Sequence, residues 1–144
     1  MVKRLCRLAT VLKLNEAEAK TMFELSEPAK EQFSLETFCS AWASEYDLDA
    51  ICLTLGAAGC CIYERDVFTA CGGYPAQVGD TVGAGDAFAA GFLYGYHRGW
   101  PTGKTARFAN AIGANVASHA CANSPVDSSG VQCRRVFKPI CVAA

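Results

Sequence analysis

No apolar run in these 144 residues reaches the length of a membrane span. The opening, Met1-Val2-Lys3-Arg4-Leu5-Cys6-Arg7, breaks its apolar stretch with charge too early for a secretory signal, so a cytoplasmic location is expected. Neither sign of charge is in surplus. Thirteen Lys and Arg against 14 Asp and Glu leave a net charge of −1, which gives no electrostatic footprint for nucleic acid or an anionic membrane. With 51% hydrophobic and only 19% charged residues, the chain lacks the composition of a disordered segment. It is long enough for one domain with a real core. Cysteine is not scarce: nine stand at 6, 39, 52, 60, 61, 71, 121, 133 and 141. The C-x-x-C spacing on which zinc and redox motifs depend is missing, however. Nor does the sequence offer the secreted context of a disulfide scaffold. Small apolar filler is the expected role of these thiols.

The chain is organised around Asp80-Thr81-Val82-Gly83-Ala84-Gly85-Asp86, which runs directly into Ala87-Phe88-Ala89-Ala90-Gly91-Phe92. Small residues at 83 to 85 let backbone approach a ligand closely. A helix starting there aims its unpaired N–H groups and positive dipole end at the turn, so an anion is the natural guest. Asp86 would repel that anion and so calls for another job. Proton abstraction from a hydroxyl is the obvious one. An anion cradle beside a carboxylate base is the minimum equipment for phosphoryl transfer. The plainer alternative is a tight turn before a buried helix with Asp80 as its cap. A dinucleotide fingerprint read from Gly83-Ala84-Gly85 is rejected, because Phe88 stands where its third glycine belongs.

Periodicity supplies the surrounding elements. Residues 2–9 read as a short amphipathic helix with Leu5, Leu8 and Ala9 on one side. A brief strand, 11–14, precedes a helix capped by Asn15 and running to about Leu25. Leu35, Phe38, Trp42 and Ala43 mark a surface helix over 34–46, with Trp42 in the core. The run Ala50-Ile51-Cys52-Leu53-Thr54-Leu55 suits a strand buried on both faces of a parallel sheet. Gly56-Ala57-Ala58-Gly59 turns into a strand at 60–63, and 64–66 is a polar tip before a strand at 67–70. A break follows at 71–75, and Val78 leads into Asp80. The helix from Gly85 to about Arg98 is apolar nearly all round, as for an interior helix. Its Gly91 and Gly95 form a ridge against which another backbone can pack. Gly99-Trp100-Pro101 ends it, and Thr102 is expected to cap a last helix from Gly103 to about Ala120.

The segment Asp80 to Asp86 resembles the Asp-Thr-x-Gly-Ala-Gly-Asp-x-Phe signature of the ribokinase-like (PfkB) carbohydrate kinases. The resemblance implies an α/β fold, a ribokinase-like three-layer αβα sandwich, here truncated to its C-terminal nucleotide-binding half. It implies ATP with Mg2+, and in many relatives a monovalent cation such as K+ beside the turn. Asp86 then becomes the catalytic base, and the N–H groups of Gly83, Ala84 and Gly85 receive the migrating phosphoryl charge. Asn15-Glu16-Ala17-Glu18 resembles the family's Asn-x-x-Glu element. That gives Glu18, with Asn15 supporting, a part in the magnesium shell, and Asp80 maps onto the ligand of the monovalent cation. By themselves these residues are only a capped acidic helix start. The stretch Thr54-Leu55-Gly56-Ala57-Ala58-Gly59 is similar to the family's Thr-x-Gly-x-x-Gly element and implies nucleotide contact at Thr54, Gly56 and Gly59; a plain hairpin would use the same residues. Phe108-Ala109-Asn110-Ala111-Ile112-Gly113-Ala114 resembles the adenine-side helix, with Asn110 and Gly113 near the base. Small-residue helix packing explains that stretch equally well.

Relatives run to about twice this length. The resemblance therefore makes residues 1–125 the C-terminal ATP-binding and catalytic part of a kinase, and 126–144 a tail of uncertain structure. The half that reads the sugar is absent, so the substrate, a sugar or a nucleoside, cannot be named. Two functions remain open. One is an ATP-dependent carbohydrate kinase, acting with a partner chain that supplies the missing half or as a homo-oligomer. The other is a truncated nucleotide-binding module that performs no chemistry.

Overall fold

The computed structural model describes residues 2–26, 32–74 and 81–118. Expectations placed on Asp80, on Val78 before it, on residues 119–120 and on the 126–144 tail lie outside these. Five helices and four strands follow one another in the chain. They are α1 (Val2–Cys6), β1 (Val11–Asn15), α2 (Glu16–Ser26), α3 (Leu35–Tyr46), β2 (Ala50–Thr54), β3 (Gly59–Glu64), β4 (Val67–Gly72), α4 (Ala84–His97) and α5 (Thr102–Ala117). The strands form one sheet in the order β1-β2-β3-β4.

Strand β2 is the hinge of this architecture. Its alternating side chains divide between two cores. Ile51 and Leu53 pack with Phe38, Trp42 and Leu14 beneath α2 and α3. Ala50 and Cys52 face Phe88, Phe92, Ala106 and Ala109 of α4 and α5. The result is helix, sheet, helix: the expected three layers. Both faces of β2 are covered, and each fully buried Ile, Leu or Phe contributes about 1.5–3 kcal/mol. The expectation of a parallel sheet holds on one side only. β2 runs parallel to β1, from Val11 opposite Ala50 to Asn15 opposite Thr54, but antiparallel to β3. The reason is length. A short 3-10 turn at Gly56–Ala58 cannot make the long crossover that a parallel neighbour needs.

Helix α3 matches its sequence pattern. Ser34 Oγ accepts from Thr37 N–H, and Asp47 ends the helix in the left-handed region at φ 55°. At the polar tip, Arg65 and Asp66 both have positive φ, the mirror-image turn that fits the twist of a two-residue hairpin.

Three expectations need correction. Helix α1 stops at Cys6, and its supposed apolar side is in solvent: Leu5 is 59% and Leu8 85% exposed, while Cys6 is the buried residue. Helix α4 is a cover rather than an interior helix. Phe88, Gly91, Phe92 and Gly95 are buried, but Leu93 and Tyr94 stand about half exposed, with Arg98 over the Tyr94 ring. Thr102 is not a cap. Pro101 takes that place without a side-chain bond, and Thr102 Oγ1 donates instead to Glu64 Oε2 at 2.6 Å.

The glycine ridge works as its spacing suggests. A Cβ on Gly91 would meet Ala109 Cα at 3.1 Å, and one on Gly95 would meet Thr105 Oγ1 at 2.8 Å. A Cβ on Gly113 would meet Ala84 O at 3.2 Å. Helices α4 and α5 therefore lie closely antiparallel, with Gly113 drawn up against the start of α4. Among the described residues the cysteines are free. Burial pushes the Cys39 thiol up to about 12 and raises Cys52 further, which fits their reading as small apolar core residues.

Candidate functional site

Gly83 opens α4 in a left-handed conformation, φ 82° and ψ −10°. A Cβ there would meet only Val116 Cγ1 at 3.9 Å, so dihedral preference rather than space favours glycine. Ala84 N–H donates to Thr81 O at 3.2 Å, and Ala87 N–H closes the first turn on Gly83 O at 2.9 Å. Asp86 follows in that first turn, exposed, where the helix dipole favours a carboxylate.

The start of α4 forms one wall of a cleft of about 460 Å³, inside the range of roughly 300–1,000 Å³ typical of small-molecule sites. The opposite walls are the C-terminal ends of β1 and β2 and the glycine turn between β2 and β3. All five residues expected to contact nucleotide, Thr54, Gly56, Gly59, Asn110 and Gly113, line it, together with Asn15, Ala84 and Gly85. Asp86 and Gly83 flank the lining residues in sequence. Asn15 and Gly113, 98 positions apart in the chain, thus reach one opening.

Several of these side chains already have local work. Thr54 Oγ1 donates to Leu14 O at 3.4 Å, stitching β2 to β1. Asn110 Nδ2 donates to the carbonyls of Cys71 at 3.3 Å and Gly72 at 3.2 Å, fastening α5 to β4. The helix-packing alternative therefore holds for Asn110 and Gly113, while both still face the cleft. Gly59, at φ 108°, lies so close to β4 that a Cβ would run into Cys71 O.

Asn15 and Glu18 form a reciprocal cap at the start of α2. Asn15 Oδ1 accepts from Glu18 N–H at 2.8 Å, and Glu18 Oε2 accepts from Asn15 N–H at 2.7 Å. Both are exposed. Among the described residues no group of three or more His, Cys, Asp or Glu could hold a metal. Asn15 and Glu18 by themselves do not enclose a bare cation. Magnesium carried on phosphates does, because it keeps most of its waters and takes few carboxylates.

Sequence reasoning passed over Lys13. Its Nζ lies 3.4 Å from the position a Cβ would take on Gly85, and it lines the same cleft. Cys52 is its register partner, so the side chain projects on the α4 and α5 face of the sheet. The signal was present: a lone charge inside the strand Val11-Leu12-Lys13-Leu14. Tyr74, Thr81, Ala114 and Ala117 also line the cleft. A second opening of about 760 Å³ lies at the far end of the sheet, lined by Asp47, Asp49, Glu64 and Asp66. Arg65 and His97 line it too, but four carboxylates against one guanidinium leave it net acidic and unfavourable for the anion that the α4 turn attracts, and it contains none of the motif residues.

The chain matches the family model for pfkB family carbohydrate kinases over residues 1–129. Over 52 residues it is 42% identical to a 5-dehydro-2-deoxygluconokinase of Geobacillus thermodenitrificans, covering 35% of this chain and 15% of that one. Its fold superposes on a Burkholderia thailandensis nucleoside kinase in complex with inosine at a TM-score of 0.68, with 29% identity, covering 83% of this chain and 37% of the other. A ribokinase-type chain from Escherichia coli, solved in complex with ATP and Mg2+, has the same fold at a TM-score of 0.69 and 20% identity, covering 82% and 36%. The chain thus spans well under half the length of these relatives. With its glycine turn, cleft and sandwich accounted for, it belongs to the pfkB family of carbohydrate kinases.

Proposed function

We propose that the cleft between α4 and the glycine turn binds ATP, and that the chain transfers its terminal phosphoryl group to an alcohol of a sugar or nucleoside. One observation carries this reading. Lys13 brings an ammonium to the N-terminal end of α4, where the dipole is already positive. Among the described residues it has no carboxylate partner. Two positive features converging on the first turn of α4, at Gly85, suit a polyphosphate lying between them.

In this reading the base rests against α5 near Asn110 and Gly113. The amides of Gly83 and Gly85, with the Ala84 N–H shared with Thr81 O, receive the migrating phosphoryl group. Donors so placed are worth roughly 3–4 kcal/mol each in catalysis. Asp86 accepts the proton of the attacking hydroxyl. Mg2+ on the phosphates supplies charge neutralisation when bound, with Glu18 and Asn15 holding its water shell. Asp80 is the candidate ligand for a monovalent cation such as K+. The protein acts in the cytoplasm; among the described residues no helix is long and apolar enough to cross a membrane.

The test is Asp86→Asn, assayed for ATP consumption across hexoses, pentoses and nucleosides beside titration with a non-hydrolysable ATP analogue. Transfer should fall by roughly 10²–10⁴ with analogue affinity preserved; near-normal turnover ends the assignment. A nucleotide-binding module without chemistry is the competing reading. Asp86 stands exposed beside the cleft and is not among the residues that line it, which favours this reading. It expects analogue binding with no alcohol phosphorylated by the unmodified chain.

A further inference from the structure

Three cysteines share the sheet face under α4 and α5. Cys52 and Cys60 are fully buried in that core, and Cys71 packs against it half-exposed. Cys60 and Cys71 are register partners on neighbouring antiparallel strands. The phase of the ladder is known from both ends. The two-residue turn at Arg65 and Asp66 makes Glu64 and Val67 a hydrogen-bonded pair, and Gly73 N–H donates to Ala58 O at 3.0 Å at the other end. Counting in steps of two, Cys60 and Cys71 are hydrogen-bonded partners, whose Cα atoms lie about 5.5 Å apart. A disulfide prefers a Cα separation of about 5.5–6 Å. The Cα spacing falls inside the bridging range, but side chains of a hydrogen-bonded pair stand farther apart than those of the other kind, so closing the bond must draw β3 and β4 together at this point. The buried Cys52 and Cys39 share no strand register at all.

We propose that Cys60 and Cys71 are a thiol pair that a low-molecular-weight disulfide, of the oxidised glutathione class, converts to a cross-strand disulfide. Cys71 is the entry point. Its Sγ reaches toward Gly72 O at 3.8 Å, and rotation about Cα–Cβ turns it to Cys60. The Cys71 thiolate attacks one sulfur of oxidised glutathione. That S–S bond breaks and one glutathione thiolate leaves. Cys60 then loses its proton to solvent and attacks the Cys71 sulfur, expelling the second glutathione thiolate. Two protein thiols are oxidised and one glutathione disulfide is reduced to two thiols. Burial pushes the Cys60 thiol up to about 12, so this second step is the slow one. The bridge forms beneath Asn110, beside the cleft residues Gly59 and Gly73. It stands independently of what the cleft binds.

The sequence makes the test direct. Trypsin cuts after Lys30, Arg65 and Arg98, so residues 66–98 carry Cys71 alone and residues 31–65 carry Cys39, Cys52, Cys60 and Cys61. Reduced protein is incubated with oxidised glutathione, alkylated, digested without reduction and analysed by mass spectrometry. The expected result is a linked pair of these peptides, near-complete loss of Cys71 alkylation, and fragment ions that place the bond at Cys60. The link should persist in Cys61→Ala and vanish in Cys60→Ala. Fragment ions from the unmodified chain decide the matter even where a variant folds poorly. Cys71 left free, Cys71 carrying glutathione alone, or a bond to Cys39, Cys52 or Cys61 would each overturn the proposal.

Discussion

Lys13 Nζ stands 3.4 Å from the point a Gly85 Cβ would occupy, so strand β1 delivers a positive charge to the positive end of helix α4. In the free protein that arrangement costs about 0.3–1 kcal/mol; with a phosphate between them it becomes favourable. Lys13→Met should therefore leave the fold as stable as before or slightly more so. The same variant should weaken binding of an ATP analogue roughly 10–100-fold, the worth of one charge-assisted hydrogen bond. Thermal melts beside fluorescent-nucleotide titration check both halves; equal affinity in the two proteins would remove Lys13 from the site.

Two glycines should respond to alanine with opposite signs. At Gly85 a Cβ meets only the flexible Lys13 tip, so Gly85→Ala should gain up to about 1 kcal/mol of helix propensity while reducing nucleotide affinity. At Gly95 the Cβ would fall 2.8 Å from Thr105 Oγ1 and 2.9 Å from its Cγ2. Overpacking there costs about 1–3 kcal/mol, which exceeds the propensity gain. Urea midpoints should rise for the first variant and fall for the second.

Asn15→Ala removes the cap of α2 and should lower stability by about 1 kcal/mol, because Glu18 N–H loses its acceptor. Glu18→Gln keeps an oxygen for Asn15 N–H and should cost less. If Glu18 also holds magnesium waters, Glu18→Gln will raise the Mg2+ concentration needed for half-maximal activity while costing little stability, whereas Asn15→Ala will change both together. Chemical denaturation and magnesium titration separate the two roles.

Asn110→Ala leaves the carbonyls of Cys71 and Gly72 without their side-chain donor. Loss of this partly buried pair should destabilise by about 1–3 kcal/mol and accelerate amide exchange in β4 more than in β1. Uniform exchange across the sheet would show that Asn110 serves the cleft rather than the strand.

Much of this was legible beforehand. The Phe38, Trp42 and Ala43 spacing marked α3, the unbroken apolar run marked β2, and Gly91 with Gly95 marked the helix seam. The five residues expected to contact nucleotide were picked out by motif order, and the structure brings them to one cleft. What escaped depended on neighbours. Leu5 and Leu8 form an apolar face only on paper, since nothing in the described sheet reaches them. Leu93 and Tyr94 made α4 look interior, although Arg98 and Trp100 cover part of that surface. Thr102 has the chemistry of a cap, yet Glu64, 38 positions away in the chain, takes its hydroxyl. Lys13 was masked by the strand around it, because its meaning comes from Gly85, which only the fold brings near.

Strand β1 bounds the sheet, with β2 as its one ladder neighbour among the described residues. Its outward row of peptide groups is a template for any extended chain, and a single lysine is a slight deterrent. Side-by-side pairing of copies is therefore expected to start at this border, with a solubility limit set by protein concentration as its sign. A short peptide able to lie alongside Val11–Asn15 would shield that border and raise the limit.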